Sequence, residues 1–153
     1  MLRDIRTLIN KPVPATYKAA AAMKTGMAVV LDDTAGTAKF ASSATSANLY
    51  FVDKARVPVG IKTAYQNLSD YDEGYIDVAE DEYVKLKKYL PGDEFATDAK
   101  GSTATVGKTV AAGADGKLVN ATSASPYLYV SDYNDAGHTL MLIRVLDTPV
   151  ANS

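Results

Sequence analysis

Residues 127–146 read YLYVSDYNDAGHTLMLIRVL, and this stretch decides the class of fold. Residues 127–130 and 140–146 are aliphatic and aromatic runs of strand length. Tyr127 and Tyr129 are two positions apart, so both side chains project to one face of a strand. Residues 131–139 contain Asn, Asp and Gly, which are typical of turns, and we expect this segment to connect the two strands.

Similar short runs, separated by turn signals, occur back to Gly26. In residues 84–87 apolar and charged residues alternate, so we expect Val84 and Leu86 to face the core. The other predicted strands are residues 27–31, 49–52, 57–61, 75–79 and 117–119, with turns at 32–36, 91–94 and 114–116. No amphipathic helical pattern of about 10–15 residues separates them, which argues against a parallel sheet with crossover helices. The sequence therefore predicts an all-β protein whose body is a small β-barrel, β-tulip-like or a sandwich.

The first 25 residues have a different pattern. Apolar residues recur there at helical spacing and predict about two turns of amphipathic helix, after which two prolines favour an extended path. Up to Leu31 the chain has five basic residues (Arg3, Arg6, Lys11, Lys18 and Lys24) and one acid, Asp4. We interpret residues 1–25 as an extended N-terminal arm that docks on a partner, and residues 26–153 as a single β domain; the alternative is a frayed terminus. The candidate partner-binding residues are Leu2, Ile5, Leu8, Ile9, Pro12, Pro14 and Tyr17.

Two segments are rich in small residues. They are residues 40–48 and residues 99–114. We expect both to be long loops or edge strands of the β domain, because neither has the character of a linker between domains.

The composition of the 153-residue chain excludes several classes of site. The chain has no Cys, so disulfides, thiolate metal sites and cysteine nucleophiles cannot form. It has one His, His138, so one chain cannot build a zinc site of several histidines. The net charge is −2 and no apolar run approaches the ~18 residues of a membrane-spanning helix. We expect no enzyme activity, no cofactor, no direct nucleic-acid partner and no membrane partner.

Two motifs are similar to ligand-binding loops but depart from them at decisive positions. Residues 101–109, GSTATVGKT, have five residues between the glycines, where a phosphate-binding P-loop has four. Residues 132–137, DYNDAG, begin like a calcium loop, but Ala136 and Ile143 stand where that loop needs oxygen ligands. We interpret the first motif as an exposed edge strand and the second as a turn, so neither predicts a nucleotide or metal site.

Acidic and tyrosine residues are concentrated in the middle of the chain. Residues 65–84 contain seven acids and no Lys or Arg, but nothing places two carboxylates at the separation that glycoside hydrolysis needs. We interpret the acids as a solvated face. The chain has ten Tyr, three Phe and no Trp. Tyrosine suits an interface or a sugar-stacking platform, and the alternative is that these rings cap the ends of a small barrel.

The succession of glycine-marked turns and short strands resembles that of the small capsid decoration proteins of tailed bacteriophages, also called head-stabilisation or cement proteins. The likeness covers roughly residues 24–147 and is carried by residues 26–32, 51–53, 57–61, 82–86, 91–98 and 115–119 and by the final strand pair. The resemblance implies a β-barrel or β-tulip body on the outer surface of an icosahedral capsid, bound to the major capsid protein. It further implies a trimer on the capsid, no enzymatic activity, and an N-terminal arm that touches the shell or a neighbouring subunit.

A second class of function stays open on the same residues. A host-surface or carbohydrate-binding module of a phage particle would use the tyrosine faces, and sugar binding would then quench tyrosine fluorescence. For the decoration reading we expect the protein in the virion, on the capsid outer surface, after synthesis in the host cytoplasm.

Overall fold

The computed structural model describes residues 1–7, 12–53, 71 and 76–153, and for residues 12–15 the backbone alone. In these ranges the chain forms thirteen strands. They are β1 (Leu2–Arg6), β2 (Pro12–Ala19), β3 (Met23–Lys24), β4 (Ala28–Asp32), β5 (Thr37–Lys39), β6 (Tyr50–Asp53), β7 (Asp77–Val78), β8 (Tyr83–Lys87), β9 (Glu94–Thr97), β10 (Thr109–Ala112), β11 (Leu118–Asn120), β12 (Ser125–Asp135) and β13 (His138–Val150). The predicted all-β fold class is confirmed.

The strands form a closed barrel and an open sheet. The barrel order is β2-β5-β4-β6-β8, and the six-stranded sheet has the order β1-β9-β13-β12-β10-β11. β3 and β7 form a third, two-stranded sheet. The barrel closes because β2 pairs with β8 antiparallel and with β5 in parallel, where Lys18 lies opposite Thr37.

The long β12–β13 hairpin forms the centre of the six-stranded sheet. Tyr127 lies opposite Val145, and the pairing runs to Asp135 opposite His138. Ala136 and Gly137 have φ angles of 51° and 88°, the positive pair that a two-residue turn of the primed type needs. The expected connection over residues 131–139 is therefore mostly strand, and the turn itself has two residues.

Successive side chains of β6 point in opposite directions and pack in two different cores. Val52 points into the barrel and packs in a cluster with Val29, Val84 and Leu86. The next side chain back, Phe51, points the other way and packs on the inner face of the six-stranded sheet. Its ring lies 4.5 Å from Phe95 and 5.8 Å from Tyr127, measured between centroids. A single strand thus contributes to both cores and holds the barrel against the sheet.

The strand predictions agree with the structure where side chains alternate or form apolar runs. The predictions over 27–31, 49–52, 84–87 and 117–119 correspond to β4, β6, β8 and β11. Val84 and Leu86 are fully buried, as the alternation predicts. Of the predicted strand 75–79, residues 76–79 are described, and within them Asp77–Val78 is a strand. Residue 75 and the prediction over 57–61 lie outside the described residues.

Two predictions are wrong. Leu2–Arg6 is a strand, because pairing with β9 satisfies its backbone groups, whereas an isolated helix of two turns is marginal in water. Thr109–Ala112 is neither a loop nor an edge strand: it lies between β11 and β12, and all four residues are buried. Small side chains there fit under Leu118 and Phe51, so low apolar volume did not mean exposure.

The extended N-terminal arm is not confirmed. β1 belongs to the six-stranded sheet and β2 to the barrel, so both predicted arm segments pair with strands of the body. The backbone of Pro12 and Pro14 is extended within β2, as the prolines favour.

Candidate functional site

The residues predicted to bind a partner lie in different environments. Leu2 is 7% exposed and belongs to the core shared by barrel and sheet. Ile5 is 39% exposed. Tyr17 is half-buried against the barrel core. Leu8 and Ile9 are outside the described residues, as are the side chains of Pro12 and Pro14. The described residues of the predicted apolar stripe therefore do not share one environment, because Leu2 is buried in the chain's own core and Ile5 is exposed.

Polar contacts fix β1 to the barrel. Asp4 accepts hydrogen bonds from Lys87 Nζ at 2.8 Å and from the Tyr89 hydroxyl at 2.6 Å. Lys87 also lies 3.7 Å from Asp53 of β6. Burial raises the pKa of Asp4, but the hydrogen bonds from Lys87 and Tyr89 outweigh that effect and leave the pKa below its usual value of 3.8. Burial and the bond to Asp4 raise the pKa of Tyr89 well above its usual range.

Met1, which precedes β1, is also held by hydrogen bonds. The Met1 ammonium group donates hydrogen bonds to the Thr25 carbonyl oxygen at 2.6 Å and to Asp98 Oδ1 at 2.5 Å. Burial lowers the pKa of this ammonium group. Gly26 passes so close that a Cβ there would meet the Met1 carbonyl oxygen and lie 2.5 Å from Thr97 Oγ1.

The other side of β1 is an open edge among the described strands. β1 pairs with β9 alone, and the register between Asp4 and Arg6 shifts by one residue. Ile5 occupies this bulge, and a bulge turns a side chain away from its regular direction. An edge strand with a bulge offers backbone groups to a partner while resisting uncontrolled stacking. Among the described residues of the predicted arm, Ile5 is an exposed apolar side chain and lies on this edge.

A small aromatic cluster lies at the tip of the β12–β13 hairpin. The rings of Tyr71 and His138 are stacked, with centroids 3.6 Å apart and planes at 10°. Asp135 accepts hydrogen bonds from Arg3 Nε and from the Tyr71 hydroxyl, both at 2.7 Å. These two bonds lower the pKa of Asp135. The cluster ties the hairpin tip to β1, and His138 is an exposed residue that covers a tyrosine ring.

Two tyrosines of β12, Tyr127 and Tyr129, are core residues. Tyr127 and Tyr129 share one face of the strand, as predicted, and both point inward with 5% and 0% exposure. Burial raises the pKa of Tyr127 to about 12. The Tyr129 hydroxyl lies between Lys100, at 2.8 Å, and Asp132. This face therefore offers no stacking platform to a ligand.

A groove of about 540 Å³ lies at the mouth of the barrel. Its apolar wall includes Val30, Ala47 and three residues that also pack on the barrel core: Tyr17 of β2, Leu31 of β4 and Tyr50 of β6. Its polar wall consists of Asp33 and Asn48, on the loops that leave β4 and enter β6. Tyr17 donates a hydrogen bond from its hydroxyl to Asp33 Oδ1 at 2.7 Å. This bond raises the pKa of Tyr17.

Of the groove residues, Tyr17 is among those that the sequence predicts to bind a partner. Tyr50 was expected in a strand and is in β6, but Asp33 and Asn48 have no local motif. Asn48 has a φ of 51°, a left-handed conformation that Asn adopts more readily than most residues. The groove exists because the barrel brings three separate segments together.

The sequence motifs set aside above contribute no site in the described ranges. Residues 101–108 are turns and irregular backbone before β10. Residues 132–137 end in the hairpin turn, as expected. Within the described part of the chain, no group of three or more His, Asp or Glu is placed to hold a metal ion. Much of the acidic stretch, including residues 70 and 72–75, lies outside that part.

The comparisons with known proteins identify no family. No family model, no curated protein and no solved structure matches the chain. Across the described residues, none of the helical backbone is long and apolar enough to cross a membrane.

Proposed function

We propose that this protein is a structural virion protein that binds the outer surface of an icosahedral phage capsid, through the major capsid protein, and stabilises the shell. The carrying observation is the edge of β1 that no described strand pairs with, where Ile5 is exposed in the bulge, next to a body held together by two cores. The sequence resemblance to decoration proteins supports the same reading.

The structure favours one mode of docking over another. If β1 left the body to reach a neighbour, Leu2 would be exposed at a cost of about 1.5–3 kcal/mol, and Asp4 would lose Lys87 and Tyr89. Docking of the intact edge avoids these losses. A strand of the capsid protein, or of a second copy in a trimer, would then pair with β1 and cover Ile5.

The physical basis of stabilisation is preferential binding. A protein that spans a seam between capsid subunits binds the assembled shell and not the separated subunits, so its binding free energy adds to the stability of the shell. Many copies act together, so each contact needs only modest strength.

A matched pair of surface variants tests the docking edge. We expect Ile5→Lys to weaken co-sedimentation with capsids that lack this protein by about tenfold or more, since a charge replaces the contact side chain. Val106→Lys is the control, because Val106 is 52% exposed. It precedes β10, which lies near the edge of the sheet opposite to β1. Equal binding of both variants and the unmodified protein would remove β1 as the docking edge.

A further inference from the structure

The barrel-mouth groove (Tyr17, Leu31, Asp33, Asn48 and Tyr50) has the composition of a small-ligand site. Its volume of about 540 Å³ is within the range of clefts that take a small molecule. Barrel mouths are among the preferred positions for such sites, because strands fix the lining residues. Tyr17 and Tyr50 are on different strands of the closed barrel and both pack on its core, so their positions are set by the fold.

The polar wall is prepared to accept and donate hydrogen bonds. Asp33 Oδ1 accepts from Tyr17, and its other carboxylate oxygen has no hydrogen-bond partner among the described residues. The Asn48 side chain is exposed and likewise unpartnered there. A carboxylate oxygen accepts from a ligand hydroxyl, while an amide both accepts and donates. Adjacent hydroxyl groups on one ligand would satisfy both residues.

The charges around the groove disfavour an ionic ligand. Lys88 Nζ lies 4.9 Å from the Tyr50 ring centroid, so one positive charge already stands beside this ring. This ammonium group repels a second cation. Asp33 repels an anion on the opposite wall. A neutral ligand with several hydroxyls avoids both penalties, and the axial C–H groups of a sugar ring suit the electron-rich face of tyrosine.

We infer that the barrel-mouth groove binds a neutral saccharide unit, with Tyr17 and Tyr50 against the sugar ring and Asp33 and Asn48 on its hydroxyls. The chemistry is that of a glycan on a cell surface or in the surrounding medium. This inference is independent of capsid binding, since the groove uses β2, β4 and β6 and the docking edge uses β1.

Titration by NMR with the methyl glycosides of glucose, galactose, mannose and N-acetylglucosamine tests the inference. We expect at least one glycoside to shift the resonances of groove residues with a Kd of about 0.1–10 mM, typical of a single shallow site. Asn48→Gly removes the amide and keeps the left-handed backbone without strain, so it should fold and weaken binding by about fivefold or more. Tyr50→Ala should abolish the shifts.

Tyr83→Ala is the matched control. Tyr83 is a barrel tyrosine that is 46% exposed, lies outside the groove and has Lys18 5.5 Å from its ring, so its loss should leave glycoside binding unchanged. No shift with any of the four glycosides would overturn the inference. Shifts with choline alone would also overturn it, as would equal glycoside binding by Asn48→Gly, Tyr50→Ala and the unmodified protein.

Discussion

Lys87 of β8 donates a 2.8 Å hydrogen bond to Asp4 of β1, and this contact joins the barrel to the first strand of the six-stranded sheet. The Lys87 side chain is 17% exposed and that of Asp4 is 32% exposed, so water screens the pair only in part. Tyr89, nearly buried, donates to the other oxygen of the same carboxylate. The N-terminal strand is thus held by charge as well as by the burial of Leu2.

Replacing Lys87 should destabilise the protein more than replacing an exposed lysine. We expect Lys87→Met to lower the free energy of unfolding by about 1–2 kcal/mol, because the partly buried carboxylates of Asp4 and Asp53 both lose this cation. Lys117→Met is the control, since Lys117 is 46% exposed and 3.9 Å from Asp115, and it should cost about 0.5 kcal/mol or less. Urea unfolding of both variants measures the difference. Equal costs would show that the Asp4 contact contributes nothing.

The same contact predicts a dependence on acid pH. The folded pKa of Asp4 lies below 3.8, so its stabilising effect is complete above 3.8 and is lost as the pH falls through the depressed folded pKa. The stability difference between the unmodified protein and Lys87→Met should therefore shrink below pH 3.8. Urea unfolding across the acid range measures it, and a difference independent of pH would contradict the assignment.

Tyr127 predicts a loss of stability in alkali. Its pKa is raised to about 12 by burial, so the neutral ring favours the folded state fully below the usual pKa of 10.0 and less and less as the pH rises towards 12. Tyr127→Phe removes this titration and should flatten the decline in stability between pH 10.0 and 12. Thermal unfolding across that window measures the slope. An identical slope in the variant would mean that other groups cause the decline.

Two glycines with similar backbone conformation should differ sharply in their tolerance of alanine. Gly26 and Gly137 have φ angles of 97° and 88°, so alanine is strained by about 1–2 kcal/mol at each. At Gly26 the new Cβ also meets the Met1 carbonyl and Thr97, which adds about 1–3 kcal/mol, whereas at Gly137 no described residue other than its chain neighbours lies within 4 Å of it. Thermal unfolding should therefore place Gly26→Ala well below Gly137→Ala; equal melting temperatures would contradict the packing described around Met1.

The sequence was sufficient for elements whose pattern is local. Alternation placed Val84 and Leu86 in the barrel core, and the spacing of Tyr127 and Tyr129 placed both rings on one face. The sequence is insufficient where pairing with a strand far away along the chain determines the conformation of a segment. Residues 2–6 have apolar positions compatible with a helix, but their backbone partner is β9, about 90 residues away along the chain.

In the candidate sites, too, the sequence predicts some residues, while contacts between distant segments determine the others. Tyr17 was recognised as a binding residue, but as part of a docking arm. Its neighbours Asp33 and Asn48 come from loops around two other strands and are adjacent to it only because β2 pairs with β5 in parallel and β4 pairs with both β5 and β6. The sequence predicts that Leu2 contacts a partner, but Leu2 is buried in the core between the barrel and the six-stranded sheet.

The most direct test of the central claim is the melting temperature of capsids that lack this protein, measured as the purified protein is added. We predict saturable binding and a rise in the capsid melting temperature that levels off when the sites are filled, with a smaller rise for Ile5→Lys at the same concentration. Light scattering of the free protein then shows whether it self-associates before binding. No binding, or binding that leaves the melting temperature unchanged, would contradict the proposed stabilising role.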